Sequence, residues 1–119
     1  MPQYVVFSVD DEDQWERSDD ATRQQTYDAD ERFLSLLKER GGKVVGGADL
    51  THSREGRVLV AGDDGMSVTE GPYAESVEQL TGFYIVEAAD LETVVDAARL
   101  MLEGHGRLEI RPRPDRDYS

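Results

Sequence analysis

The sequence predicts an α+β fold of ferredoxin-like order, βαββ(β)αβ, in which one antiparallel sheet carries two helices on one face. Three observations predict it. Short runs of aromatic and β-branched residues recur as strand candidates. Two longer segments repeat apolar residues at spacings of three and four, the helical period. These elements then order themselves as two β-α-β units with a hairpin between them.

Tyr4 to Val9 is a compact apolar strand, ended by Asp10-Asp11-Glu12-Asp13. Four successive carboxylates repel and prefer solvent, so this run reads as an acidic loop rather than a cation site. Trp15 follows in that loop and must bury its ring, most simply over the next helix. Ser18, Asp19 and Asp20 are N-cap candidates, and Ala21 to Arg40 is helical up to a stop at Gly41-Gly42. Lys43 to Leu50 reads as a strand loosened by Gly46-Gly47. Arg57 to Ala61 and Met66 to Thr69 flank the turn Gly62-Asp63-Asp64-Gly65 as a hairpin. Gly82 to Glu87 is another strand, and Asp90 caps a helix from Leu91 to about Leu102. Gly104 and Gly106 stop it, Arg107 to Arg111 is the last strand, and Pro112 and Pro114 end regular structure.

A chain of 119 residues makes one domain, here 1–114, with 115–119 expected as a disordered tail. With no cysteine there is no disulfide, thiolate metal site or thiol nucleophile, and no metal or cofactor site is expected. The net charge of −13 opposes nucleic-acid binding, which needs clustered Lys and Arg on phosphates. No apolar run reaches the roughly 20 residues that span a bilayer, and the amino-terminal residues read as a strand rather than a signal peptide. A cytoplasmic protein is expected.

The long helix carries the first clue to function. On a wheel of about 100° per residue, Tyr27, Phe33, Leu34 and Leu37 all fall within roughly 60° of Asp30. Asp30 therefore lies in the stripe that faces the sheet, which continues toward the amino terminus as polar Thr26 and Arg23. A helix face that is apolar late and polar early opens a cleft over its first turns. A half-buried carboxylate there either pairs with Arg23 or a strand arginine, or serves as a general base or ligand anchor. Of the two histidines, His52 follows the second strand and should reach the same rim, whereas His105 reads as a loop histidine in solvent. The glycine pairs fit neither a dinucleotide nor a phosphate-loop motif. Two distant histidines offer no zinc spacing and no Ser-His-Asp order.

The stretch from Val68 to Glu87 is the most family-specific part of the chain. Glu70-Gly71-Pro72-Tyr73 leads into Ala74-Glu75 and then Gly82-Phe83-Tyr84. It resembles the signature of the DGPF branch of the YCII-related proteins, with Glu70 and Tyr73 replacing the usual Asp and Phe, and Val77 a common Lys. The early Trp15 and the Ile110-Arg111-Pro112 close are similar to that family as well. The resemblance implies a dimeric α/β-barrel-like assembly, a homodimer formed through the sheet face that the helices leave bare. It also implies a histidine three residues before the helix aromatic; counted back from Phe33 that position holds Asp30, so the family's His-Asp pair is in doubt there. Catalytic candidates are Asp30, His52 and Tyr73; ligand-binding candidates are Arg23, Tyr27, Glu75 and Arg111. Glu75 and Glu78, beside the Gly-Pro turn, suit either acid-base work or loop capping. Two functions follow: a cofactor-free acid-base lyase or isomerase of a small polar molecule, or a non-catalytic ligand-binding or accessory protein. The second draws on the family's link to extracytoplasmic-function sigma factors.

Overall fold

A computed structural model of the chain describes residues 1–72 and 76–115. The expectations for Tyr73, Glu75 and residues 116–119 of the tail fall outside the described residues. Among those described, no helix is long and apolar enough to cross a membrane. Strand β1 (Gln3–Asp11) leads into a short helix α1 (Glu12–Arg17) and the long helix α2 (Asp20–Glu39). Strand β2 (Lys43–Asp49) follows, then a single 3₁₀ turn (Ser53–Glu55) and the hairpin β3 (Arg57–Gly62) and β4 (Gly65–Glu70). Strand β5 (Glu78–Glu87), helix α3 (Leu91–Ala98), a 3₁₀ extension (Arg99–Glu103) and strand β6 (Arg107–Pro112) complete the chain.

The strands β2-β5-β1-β6 form one antiparallel sheet. With the hairpin set aside, that order is compatible with a ferredoxin-like fold. Alternation along β1 buries Tyr4 and Val6 on the helix side, as the two-residue period of a strand requires. Phe33 and Leu37 of α2, Val86 of β5, Val94 of α3 and Met101 meet them there, all at most 1% exposed. Val5, Phe7 and Val9 alternate onto the other face, opposite Ile85, Phe83 and Leu80.

Three features differ from the sequence expectation. The acidic run is not a loop in solvent. Asp11 accepts a hydrogen bond from the Gln14 backbone N–H and so caps α1, while Glu12 is buried against Ser53. Carboxylates at a helix start satisfy amides that water would otherwise have to satisfy, which offsets their mutual repulsion. The hairpin, in turn, forms its own two-stranded ribbon apart from the main sheet. Leu50 N–H still donates to Thr81 O alongside β5, and beyond it Glu12 accepts from Ser53, so the chain is held at α1 before β3 begins. Finally, β5 begins at Glu78 rather than Gly82, because a bulge between Ser8 and Val9 lets Leu80, Gln79 and Glu78 continue the ladder.

Candidate functional site

The sheet and α2 share an apolar core at one end and separate into an open cleft at the other. On β1 the helix-facing residues pass from Tyr4 and Val6 to Ser8 and Asp10; on α2 they pass from Leu37 and Phe33 to Asp30 and Thr26. The cleft has a volume of about 1420 Å³. That exceeds the few hundred to about 1,000 Å³ of an enclosed ligand pocket, as an open trough should.

His105 stands at its centre. Its Nδ1 lies 2.8 Å from Asp10 Oδ2 and its Nε2 lies 2.8 Å from Asp30 Oδ1. Only 10% of the His105 side chain is exposed, against 18% for Asp10 and 17% for Asp30. An ionised carboxylate has no proton to give, so both ring nitrogens must donate and the ring is an imidazolium. Burial alone would lower the pKa of His105; the hydrogen bonds and charges of Asp10 and Asp30 override it and raise the value to about 9. Burial pulls the Asp10 carboxyl upward, but bonds from His105, from Thr81 Oγ1 (2.5 Å) and from the Gly106 N–H (2.8 Å) hold it below its ordinary range. Tyr84 Oη donates to Asp30 Oδ2 at 2.9 Å. Burial first, then Asp30, with Asp49 and Glu31 adding, pushes the Tyr84 hydroxyl above its ordinary pKa, so it remains a phenol.

Local sequence explains how His105 arrives there. Past α3 the chain tightens into its 3₁₀ turns, and the N–H groups of Gly104 and His105 both donate to Met101 O. A Cβ on Gly104 would stand 2.5 Å from Thr26 Cα, so only glycine lets this turn press against α2. Thr26 Oγ1 then donates to Gly104 O at 3.1 Å.

Asp30, Arg23, Tyr27 and His52 all line this cleft. Asp30 faces the sheet as its helical phase requires, but its partners are His105 and Tyr84, not an arginine. Arg23 is occupied elsewhere: its guanidinium donates to Trp15 O, Glu16 O and Ser18 Oγ and sits 5.3 Å over the Trp15 ring. Trp15 also meets Tyr27 edge-on at 5.8 Å, so Arg23 and Tyr27 fasten α1 to α2. His52 sits at the rim, with Nε2 2.7 Å from Asp13 Oδ1 and Nδ1 accepting from the Arg54 N–H. Arg111 does not join them. It lies opposite Val5 on the sheet face away from the helices, where it meets Glu109 at 3.2 Å.

Sequence reasoning missed Asp10, Tyr84 and above all His105. The signal for Asp10 was present in the alternation, since it shares its face with Tyr4, Val6 and Ser8. Asp13, Glu16 and His52 each offer an atom within 4.8 Å of the others, as cation ligands do. Their charge is already spoken for: Arg54 takes both Glu16 oxygens, at 3.0 and 2.5 Å, and His52 takes Asp13.

Comparison with known proteins bears on this arrangement directly. The model of the YCII-related domain matches residues 2–101, nearly the whole of the fold that builds the cleft. The chain belongs to the YCII-related family. Its resemblance also extends to an uncharacterized protein of Rhizobium meliloti (strain 1021), 42% identical over 48 residues. That match covers 38% of this chain and 39% of the relative, so the chain spans well under half of the relative's length in it. In this YCII-related chain the family match ends at Met101, four residues before His105. The imidazole that meets Asp30 thus comes from beyond the matched region, from the loop before β6.

Proposed function

We propose that this YCII-related chain binds a small polar organic molecule in the cleft and performs cofactor-free acid-base chemistry on it, as a lyase or isomerase. The observation that carries the reading is a single imidazole held between two carboxylates at 2.8 Å each inside an open cleft. A carboxylate held in place beside a cation and open to a cleft is placed to take a proton from a bound molecule. Asp30 is the base in this reading and His105 supplies the positive charge that balances it; once Asp30 has taken the substrate's proton, the Tyr84 hydroxyl, which donates to Asp30 in the free protein, turns its own proton to the developing oxyanion. His52 and Tyr27 sit on the walls as contacts for the ligand. Incubating the protein in D₂O with a panel of small hydroxy acids, keto acids and lactones tests this by NMR. Wild-type protein should introduce deuterium beside a carbonyl of at least one compound, and Asp30→Asn should not. Absence of exchange across the panel, together with no ligand-induced shift at His105, would sink the reading.

A non-catalytic ligand-binding or accessory role, including partnership with a sigma factor, is favoured by one observation. Each side-chain oxygen and nitrogen of Asp10, His105 and Asp30 already has a partner within the protein, so the network is complete without a ligand. Binding at His105 without exchange is its signature. Either role suits a cytoplasmic homodimer of barrel-like form joined through the bare sheet face, a reading supported by the apolar row Val5, Phe7, Val9, Phe83 and Ile85.

A further inference from the structure

The ladder between β1 and β5 is interrupted at one point. Ser8 pairs with Gly82 and Val9 with Leu80, so Thr81 is the extra residue of a β-bulge, with no residue of β1 opposite it. Regular alternation would turn Thr81 onto the bare sheet face with Phe83 and Ile85. A bulge re-aims the side chain that it carries. The Thr81 hydroxyl accordingly reaches the helix-facing row of β1, with Oγ1 3.1 Å from Ser8 Oγ and donating to Asp10 Oδ2 at 2.5 Å. Its other acceptor, Ser8 O, is farther away at 3.3 Å and uncharged. A hydroxyl has one proton, and the nearer, ionised oxygen takes it. The bulge is held from both sides: buried Ser8 donates to Gly82 O at 3.2 Å, and Thr81 O accepts from the Leu50 N–H.

The two carboxylates that flank His105 are therefore unequal. Asp10 accepts three hydrogen bonds, from His105 Nδ1, Thr81 Oγ1 and the Gly106 N–H. Asp30 accepts two, from His105 Nε2 and the Tyr84 hydroxyl. Each donor favours the ionised form of the carboxylate that receives it. We propose that Thr81 is a positioning residue of the site: the bulge that delivers its hydroxyl to Asp10 fixes Asp10 as the permanent anion and leaves Asp30 as the carboxylate that exchanges protons. This rests on the reading of Asp30 as the base. When Asp30 takes a proton from a bound molecule, His105 keeps its balancing charge only while Asp10 does not accept the Nδ1 proton. Thr81 already donates to Oδ2, the oxygen to which that proton would move. The other charged groups around Asp10 do not replace it. Asp30 lies across the imidazole on α2, and Arg107 of β6 faces Glu78 at 3.8 Å. Glu78 Oε2 and Asp10 Oδ1 each lie 4.0 Å from where a Cβ on Gly106 would stand, so Glu78 opposes the charge on Asp10 and the Thr81 bond matters more.

Thr81→Val keeps the shape of the side chain and removes the hydroxyl, whereas Thr81→Ser keeps the hydroxyl. Carboxyl ¹³C shifts of the full chain, followed by NMR through an acid titration, should show the Asp10 midpoint raised in Thr81→Val by about one pH unit or more, a ten-fold gain in proton affinity. Thr81→Ser should return it to the wild-type value. On any compound that wild type deuterates, Thr81→Val should slow exchange at least about ten-fold, with Thr81→Ser restoring the rate. An Asp10 midpoint unmoved in Thr81→Val, or moved equally in both variants, would overturn the proposal. Wild-type exchange in Thr81→Val despite a raised midpoint would overturn it as well. The titration needs no substrate: if no compound exchanges, the enzymatic reading of the cleft falls, while the Asp10 midpoint still decides whether Thr81 fixes the anion. Should Thr81→Val misfold, wild type itself supplies the check, because the Thr81 hydroxyl proton and the His105 Nδ1 proton share one acceptor oxygen. A slowly exchanging hydroxyl resonance with a nuclear Overhauser effect to that ring proton is expected, and a hydroxyl in rapid exchange with water would reject the assignment.

Discussion

Gly104 and Thr26 touch so closely that no other residue fits at position 104: an added Cβ would lie 2.5 Å from the Thr26 Cα. This contact decides where His105 goes. Gly104→Ala must push the turn off α2, losing the bond from Thr26 Oγ1 and lengthening the His105–Asp30 contact. A stability loss of about 2–3 kcal/mol is expected, in the range of overpacked sites. Urea denaturation measures it; a loss below about 0.5 kcal/mol would show that the turn has room to shift.

The charge on His105 makes stability depend on pH. Its pKa rises from 6.5 unfolded to about 9 folded, so between those values the native state binds more protons than the unfolded state. Stability from this group is therefore fully present below pH 6.5 and is lost as pH rises through about 9. The loss is at most on the order of 3 kcal/mol. Melts of wild type and His105→Gln across that window check it, and the variant should show a nearly flat curve where wild type falls.

Asp30 holds two partners, and conservative and apolar replacements separate its roles. Asp30→Asn keeps an oxygen for one partner and removes the charge, with an expected loss of about 1–2 kcal/mol and a lowered His105 pKa. Asp30→Leu leaves the Tyr84 hydroxyl and the His105 Nε2–H without acceptors, and about 3 kcal/mol or more is expected. Equal losses for the two variants in thermal melts would show that the carboxylate does not carry the pairing.

Salt should stabilise the fold. Excess carboxylates repel across the surface, and at about 1 M salt the Debye length falls to about 3 Å. The melting temperature is expected to climb from dilute buffer to that concentration, with differential scanning calorimetry as the check. A flat curve would mean that ion pairs such as Arg54–Glu16 and Lys43–Glu87 already balance the surface.

The legible parts of this fold were those written locally. The caps Asp19 and Asp90, the sheet-facing phase of Asp30 and the hairpin turn all follow from residues within a few positions of one another. The cleft itself was visible in α2, apolar at Phe33 and Leu37 and polar at Thr26 and Asp30. What occupies the cleft was not visible, because His105 meets Asp10 across 95 positions and Asp30 across 75. A histidine between two glycines carries no period that marks it as buried; the steric need for Gly104 exists only once α2 lies beside it. Asp10 was hidden for another reason. Within four consecutive acids, the charge pattern outweighed the two-residue alternation that places it beside Ser8.

The charged bridge from Asp10 through His105 to Asp30 is the centre of this account, and the ¹⁵N chemical shifts of the His105 ring test it most directly. Followed by NMR from pH 5 to pH 10, both ring nitrogens should remain protonated through neutrality and titrate together near pH 9. A midpoint at or below 6.5, or a neutral single-tautomer ring at pH 7, would contradict it.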